Sequence, residues 1–279
     1  MTAAVGVGAG WSHSCALLGS GAVACWGDDT MGQTGTGVSS NYAAATSIAG
    51  GADALVTGFF HSCAHLTTGA VVCWGSNSYN QLGEDLPDGA ASSDTPVPFD
   101  AAAADSGPLV QVAASQIATC AIDSAHNVYC AGLNLYGELG ASTAGKTLHT
   151  PAEVPELTGI GVSAFAVGPC HSCALAADTS VQCLGANQAG ELGRGFADAG
   201  HFPLGPVIMA DGGVVAGVLA VAATGEGSGA IAYSCAIVRP TACATSGSVV
   251  CWGTNGDGQL GDGTTVNRAN PVRVIAPPN

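Results

Sequence analysis

Apolar and polar residues alternate along this chain in short bursts of five or six, each ended by glycine or a small polar residue. Two such bursts face each other across a short turn in His13-Ser-Cys-Ala-Leu-Leu-Gly-Ser-Gly-Ala-Val-Ala-Cys-Trp-Gly27. Period-two alternation on both sides of a turn predicts a β-hairpin. The pattern recurs five times, with hairpins near 13–27, 61–75, 118–132, 171–185 and 233–253, the last carrying an insertion. A glycine-rich tag follows each copy: Gly32-Gln-Thr-Gly35, Asn80-Gln-Leu-Gly83, Gly137-Glu-Leu-Gly140, Gly190-Glu-Leu-Gly193 and Gly258-Gln-Leu-Gly261. The leading cysteines, 15, 63, 120, 173 and 235, lie 48, 57, 53 and 62 residues apart, which is repeat architecture.

The hairpin register predicts the disulfides. With the first turn centred on Ser20, Cys15 faces Cys25, and directly opposed residues of an antiparallel pair are close enough to bridge. The same arithmetic pairs Cys63 with Cys73, Cys120 with Cys130 and Cys173 with Cys183, and places Cys235 and Cys251 in the fifth hairpin. Closing so short a loop stabilises by roughly 2–3 kcal/mol. Two further β-like runs separate the hairpins, for example Ala45–Ile48 then Ala54–Thr57, and Ala152–Leu157 then Val162–Val167. Four short strands per repeat is the composition of a propeller blade. The expected fold is therefore an all-β propeller of about five four-stranded blades, a single domain over 1–279. The runs Ala3–Val7 and Asn270–Ile275 are expected to complete one blade from both termini and close the ring, removing sheet edges.

Composition narrows the function. Of 279 residues, 42 are glycine and only 9% are charged, which excludes a helical bundle with charged outer faces. Twenty acidic residues stand against five basic ones, a net charge of −15. Lys146, Arg194, Arg239, Arg268 and Arg273 are scattered, so neither phosphate backbones nor anionic membranes find a basic patch. The apolar stretch Gly212–Gly225 is too short to span a bilayer. Met1–Gly27 lacks the basic start and apolar block of a signal peptide, so an exported form is expected to be mature. Twelve cysteines suit an oxidising compartment.

The motif His-Ser-Cys-Ala-Leu, turn, Val-x-Cys-Trp-Gly, then Gly-Gln-Leu-Gly resembles the regulator of chromosome condensation repeat, through five copies covering essentially the whole chain. The resemblance implies a β-propeller. The family founder is a seven-bladed exchange factor for the small GTPase Ran, bound to chromatin; a more distant relative is a secreted bacterial propeller that inhibits β-lactamase. Five copies, the lack of a basic tail and the paired cysteines depart from the founder. Cysteine-bearing repeats of this kind look like those of secreted or surface bacterial proteins. The fold carries over, and the exchange activity does not.

Several motifs compete for a role. Gly140–Thr147 matches the phosphate loop G-x-x-x-x-G-K-[ST], but Pro151 and Pro155 leave little room for the helix that loop requires. His13, His61 and His171 share one repeat position, replaced by Ala118 and Tyr233 in the other copies; the expected role is a hydrogen bond to backbone beside a strand rather than a metal. Asp29, Asn77, Asn134, Asn187 and Asn255 read as turn residues, and Trp26, Trp74 and Trp252 as blade packing. The acidic stretch Asp257–Thr264 is short of calcium ligands. Cys170, before the fourth hairpin, and Cys243, in the insertion within the fifth, fall outside the hairpin pairs; they form a sixth bridge if adjacent blades bring them together, the alternative being a reactive or metal-binding thiol. No G-x-S-x-G or H-E-x-x-H occurs, and neither cofactor nor metal is expected.

The longest connections, Glu84–Asp105 and Phe196–Gly229, break the repeat pattern and are the candidate recognition loops. Glu84, Asp85, Asp88 and Asp94 make the first acidic, which suits a basic protein; the second offers Phe196, His201 and Phe202. The reading is a monomeric, exported, non-enzymatic module that binds a protein, as an inhibitor or adhesion unit. Two alternatives stand beside it: a regulator of a small GTPase, which needs reduced thiols, and a carbohydrate- or surface-binding propeller or loop-built hydrolase.

Overall fold

The computed structural model describes residues 3–37, 41–48, 51–101, 107–225, 231–239 and 247–275, with 41–48 as backbone only. Their strands form five four-stranded sheets, each made of consecutive segments. The first comprises β1 to β4 (Ala4–Ala9, His13–Leu18, Val23–Asp28, Asn41–Ile48) and the second β5 to β8 (Ala52–Thr57, His61–Leu66, Val71–Ser76, Ser92–Pro98). The third comprises β9 to β12 (Leu109–Ala114, Ala118–Asp123, Val128–Asn134, Lys146–Glu153) and the fourth β13 to β16 (Ala164–Val167, His171–Leu175, Val181–Asn187, Asp198–Pro206). The fifth comprises β17 to β20 (Val218–Gly225, Ala232–Val238, Ser248–Gly253, Arg268–Arg273). These are the blades of a β-propeller. No helix among the described residues is long and apolar enough to cross a membrane.

The central hairpin of each blade has the expected register, with Cys15 opposite Cys25, Cys63 opposite Cys73, Cys120 opposite Cys130, Cys173 opposite Cys183 and Cys235 opposite Cys251. All five pairs are disulfides, their Cα atoms 4.0–4.1 Å apart. A glycine follows two residues after the second cysteine. At Gly75 (φ +106°) an added Cβ would lie 2.5 Å from the Phe60 carbonyl oxygen, so only glycine lets the strand pass its neighbour.

Two expectations need correction. Among the described residues no blade is shared between the termini: β1 pairs with β2, and β20 with β19. The repeat starts on its own first strand, so each blade is complete within one stretch of chain. The outer strand of the third blade is Lys146–Glu153 rather than Ala152–Leu157. Proline has no N–H to give a ladder, and Pro155–Leu157 forms a short 3-10 turn that buries Leu157 instead.

The chain divides into two compact units, residues 1–133 with 146–154, and 134–145 with 155–279. In the first, the cysteine side of blade one (Cys15, Leu17, Val23, Cys25) packs on Ala64 and Trp74 of blade two. Blade two meets blade three in the same way, through Cys63, Val71 and Cys73 against Ala121, Tyr129 and Ala131. In the second unit, Cys173, Leu175, Val181 and Cys183 of blade four pack on Ala236, Val250 and Trp252 of blade five. Each junction is thus a cysteine–aliphatic face against an alanine-rich face that carries an aromatic residue, Trp74, Tyr129 or Trp252.

Trp74 is fully buried and its Nε1 donates to the Gln33 carbonyl at 3.0 Å, whereas Trp26 in the first blade is 42% exposed. Truncating the buried indole opens a cavity and leaves that carbonyl with Ser62 Oγ, at 3.3 Å, as its remaining side-chain donor. Trp74→Ala is expected to cost about 3–5 kcal/mol and Trp26→Ala less than about 1 kcal/mol, measured by denaturant unfolding of dilute, disulfide-intact protein.

Candidate functional site

The repeated polar residues build a lattice inside each unit. His13 Nε2 is hydrogen-bonded to Ser62 Oγ at 2.8 Å, His61 Nε2 to Thr119 Oγ1 at 2.8 Å, and His171 Nε2 to Ser234 Oγ at 2.6 Å. The partner is a hydroxyl on the next blade, not the backbone beside the histidine's own strand as expected. Burial holds the three imidazoles neutral, lowering them to about 4, 3 and 4. His171 and Ser234 have the spacing of an activated nucleophile, but both are sealed at 0% exposure, which closes the pair to any substrate. Ser172 Oγ is buried without a partner.

The Asx position after each second cysteine braces the glycine tag. Asp29, Asn77, Asn134, Asn187 and Asn255 each accept the N–H five residues later, at 2.8–3.1 Å. They do so without left-handed φ, which is confined among non-glycine described residues to Asn80, Asp88, His126 and Thr179. Inside the tags Gln33, Gln81 and Gln259 accept an N–H two residues earlier. Glu138 and Glu191 take that place in blades three and four and are fully buried. Burial pushes Glu138 up to about 7 and raises Glu191. Glu138 Oε2 accepts the Tyr136 N–H at 2.7 Å, while Oε1 has no partner. This acidic pair was not singled out from sequence, although the amide-to-carboxylate exchange in aligned tags was the visible signal.

Cys170 is a buried free thiol, pushed up to about 12 by burial and then by the Glu191 and Glu138 carboxylates, the reverse of a reactive cysteine. Cys243 lies outside the described residues, and with it the sixth bridge. The phosphate-loop match folds as a 3-10 turn over Ala141–Thr143 followed by β12, and the Ser142 N–H donates to the Glu156 carboxylate. A carboxylate thus occupies an amide that a phosphate would need. Asp262 is taken by hydrogen bonds from Thr264 and by Arg268 at 2.8 Å. No cluster of three or more metal-ligating side chains occurs among the described residues. A groove of about 200 Å³ lined by Gly69–Val71, Pro98–Ala101 and Gly107–Leu109 has Asp100 as its charged lining group among the described residues.

The two candidate loops are partly strand. Glu84–Asp105 contains β8, with Asp94 on it; Asp85 accepts from Asn80 Nδ2 at 3.2 Å and pairs with His149 at 3.0 Å, while Asp88 sits exposed with φ +58°. Glu84 is half-buried. Phe196–Gly229 contains β16 and β17. Phe196 is exposed and edge-on to Phe202 (5.4 Å), and His201 on β16 is edge-on to Tyr136 (5.5 Å). Of these residues Asp94 lies on β8 and His201 and Phe202 on β16, the outer strands of blades two and four, while Glu84, Asp85, Asp88 and Phe196 precede those strands.

A family model for the regulator of chromosome condensation (RCC1) repeat matches residues 4–33 and 52–81, and a second model of the same repeat matches 246–279. The chain therefore resembles that repeat family. It is 30% identical over 168 residues to the probable E3 ubiquitin-protein ligase HERC4 of Homo sapiens, covering 60% of this chain and 14% of that protein. It is 31% identical over 186 residues to the ultraviolet-B receptor UVR8 of Arabidopsis thaliana, covering 66% of this chain and 38% of the receptor. The chain thus spans well under half of either relative. Human WBSCR16 superposes with a TM-score of 0.78 at 20% identity, over 99% of this chain and 68% of that one. Yeast RCC1 (Prp20), solved bound to Kap60, superposes with a TM-score of 0.72 at 18% identity, over 98% of this chain and 61% of that one.

Proposed function

We propose that this propeller is an exported, non-enzymatic protein-recognition module that uses its blade-edge ledges. The observation that carries the reading is the Phe196–Phe202 edge pair: Phe196, exposed just before β16, is backed by Phe202, a half-buried residue of that outer strand packed on the core. Rigid aromatic side chains supply much of the energy of protein interfaces at little entropic cost. The acidic ledge of Asp85, Asp88 and Asp94, on a chain of net charge −15, selects basic partners and speeds encounter. Five disulfides support export. The solved relative Prp20p, described with binding to Gsp1p and histones, is a propeller that recognises proteins.

The test is crosslinking capture from the extracellular fraction of the producing cells, with two sets of variants. Phe196→Ala with His201→Ala, and Asp85→Asn with Asp88→Asn and Asp94→Asn, are each expected to leave the melting temperature within a few degrees. At least one set should reduce capture of a specific protein tenfold or more. Unchanged capture with both sets, or none by the wild type, overturns the reading. Localisation in the cytosol with reduced hairpin cysteines would instead favour the small-GTPase regulator.

A further inference from the structure

His65 stands at a position that is aliphatic in every other copy of the repeat: Leu17, Ile122, Leu175 and Ile237. It lies on β6, two residues beyond Cys63, is only 8% exposed, and sits on the side of blade two that packs against blade three. Its carboxylate partner is also out of pattern. Asp53 is the extra residue of a bulge in β5 between Ala52 and Ala54, where the corresponding bulges carry Val5, Val110 and Leu219. A bulge re-aims the side chain it carries. Here it sets the half-exposed Asp53 with Oδ1 2.5 Å from His65 Nδ1. Across the ring, His65 Nε2 lies 2.7 Å from the carbonyl oxygen of Leu109, on the first strand of blade three.

These two partners fix the protons on the ring. A carbonyl oxygen only accepts, so Nε2 carries one; an ionised carboxylate only accepts, so Nδ1 carries the other. A neutral imidazole has a single N–H and would leave one of the two contacts between facing acceptors. The other ionisable groups on the surrounding strands are His61, bonded to Thr119, Tyr129, buried on β11, and Asp123, which lies opposite Leu109 on β10 and accepts the N–H groups of Ala125 and Asn127. No lysine or arginine occurs on β5 to β7 or on β9 to β11.

We propose that His65 is a proton-held strap across the junction of blades two and three: as an imidazolium it ties Asp53 to the first strand of the next blade, and the junction tightens as the medium becomes mildly acidic. The sign is opposite to that of His13, His61 and His171. The strap binds its proton more firmly in the fold than in the unfolded chain. Its contribution is therefore complete below about pH 6.5 and is lost as pH rises beyond that value.

NMR of the histidine ring nitrogens in the full chain, with His65 assigned through its side-chain connectivity, tests this. At about pH 6.5 both nitrogens of His65 are expected to carry protons. In Asp53→Asn, whose amide can donate to Nδ1, Nε2 alone should. Denaturant unfolding of the two disulfide-intact proteins gives a second readout. The ratio of the wild-type to the variant folding constant should fall by up to about tenfold per pH unit as pH rises above about 6.5. A wild-type His65 ring with a single N–H at that pH overturns the proposal, and this readout needs no variant to fold. So does a ratio that stays constant.

Discussion

Complete reduction of the five hairpin disulfides is expected to abolish cooperative unfolding at neutral pH. Each bridge closes a separation of 10 or 16 residues. On the chain-entropy estimate each such loop contributes about 3 kcal/mol. Together they match the whole stability of an ordinary domain, about 5–15 kcal/mol. The junctions they brace are built largely from alanine, valine and cysteine, so each residue buries little apolar area. The 42 glycines also raise the entropy of the unfolded chain. The sulfurs of blades one to four are buried, so reductant should act only through unfolding and slowly without denaturant. Intact mass after alkylation, with and without reduction, should show none of the ten hairpin cysteines reactive in unreduced, denatured protein. A reduced chain that still melts cooperatively within a few degrees of the oxidised one would sink this argument.

What was legible in the sequence tracks how many neighbours a strand has. The central hairpins combine alternation with paired cysteines, because both strands are flanked and two-sided; their boundaries and bridges were readable. The outer strands have one ladder neighbour and tolerate proline at the free edge. Ser92–Pro98 contains two prolines and Asp198–Pro206 contains two prolines and two glycines, so both read as loop, and Asp94, His201 and Phe202 were assigned to connections. The histidine position was readable but its partner was not, since Ser62 lies 49 residues from His13. Only the blade-on-blade offset shows that the His and Ser of one motif serve opposite neighbours. The buried glutamates were hidden for the opposite reason: exchanging glutamine for glutamate leaves the repeat pattern intact while changing the protonation chemistry.

That exchange sets the pH response. Each buried imidazole has a folded pKa of about 3 to 4, below its ordinary 6.5, so the unfolded chain binds its proton first. Stability from these groups is complete above about 6.5 and falls with pH by about 1.4 kcal/mol per histidine per unit. The glutamates have the opposite sign. Glu138, raised from 4.5 to about 7, is protonated in the fold and ionised in the unfolded chain between those values, and Glu191 shifts the same way. Its contribution is present below 4.5 and lost as pH rises through 7. Between about pH 4.5 and 6.5 the three histidines therefore take up protons on unfolding while the glutamates release up to two. The wild type should lose stability there with a slope clearly below the three protons of the histidines alone, then more steeply below 4.5, where the glutamates are protonated in both states. Glu138→Gln with Glu191→Gln restores the residue of the other tags. It should raise stability above pH 7 and steepen the slope to about three protons, a loss of about 8 kcal/mol over two pH units. Denaturant unfolding of the disulfide-intact protein from pH 4 to 8 measures both slopes. Equal slopes in the two proteins would mean that the buried carboxylates do not offset the histidines.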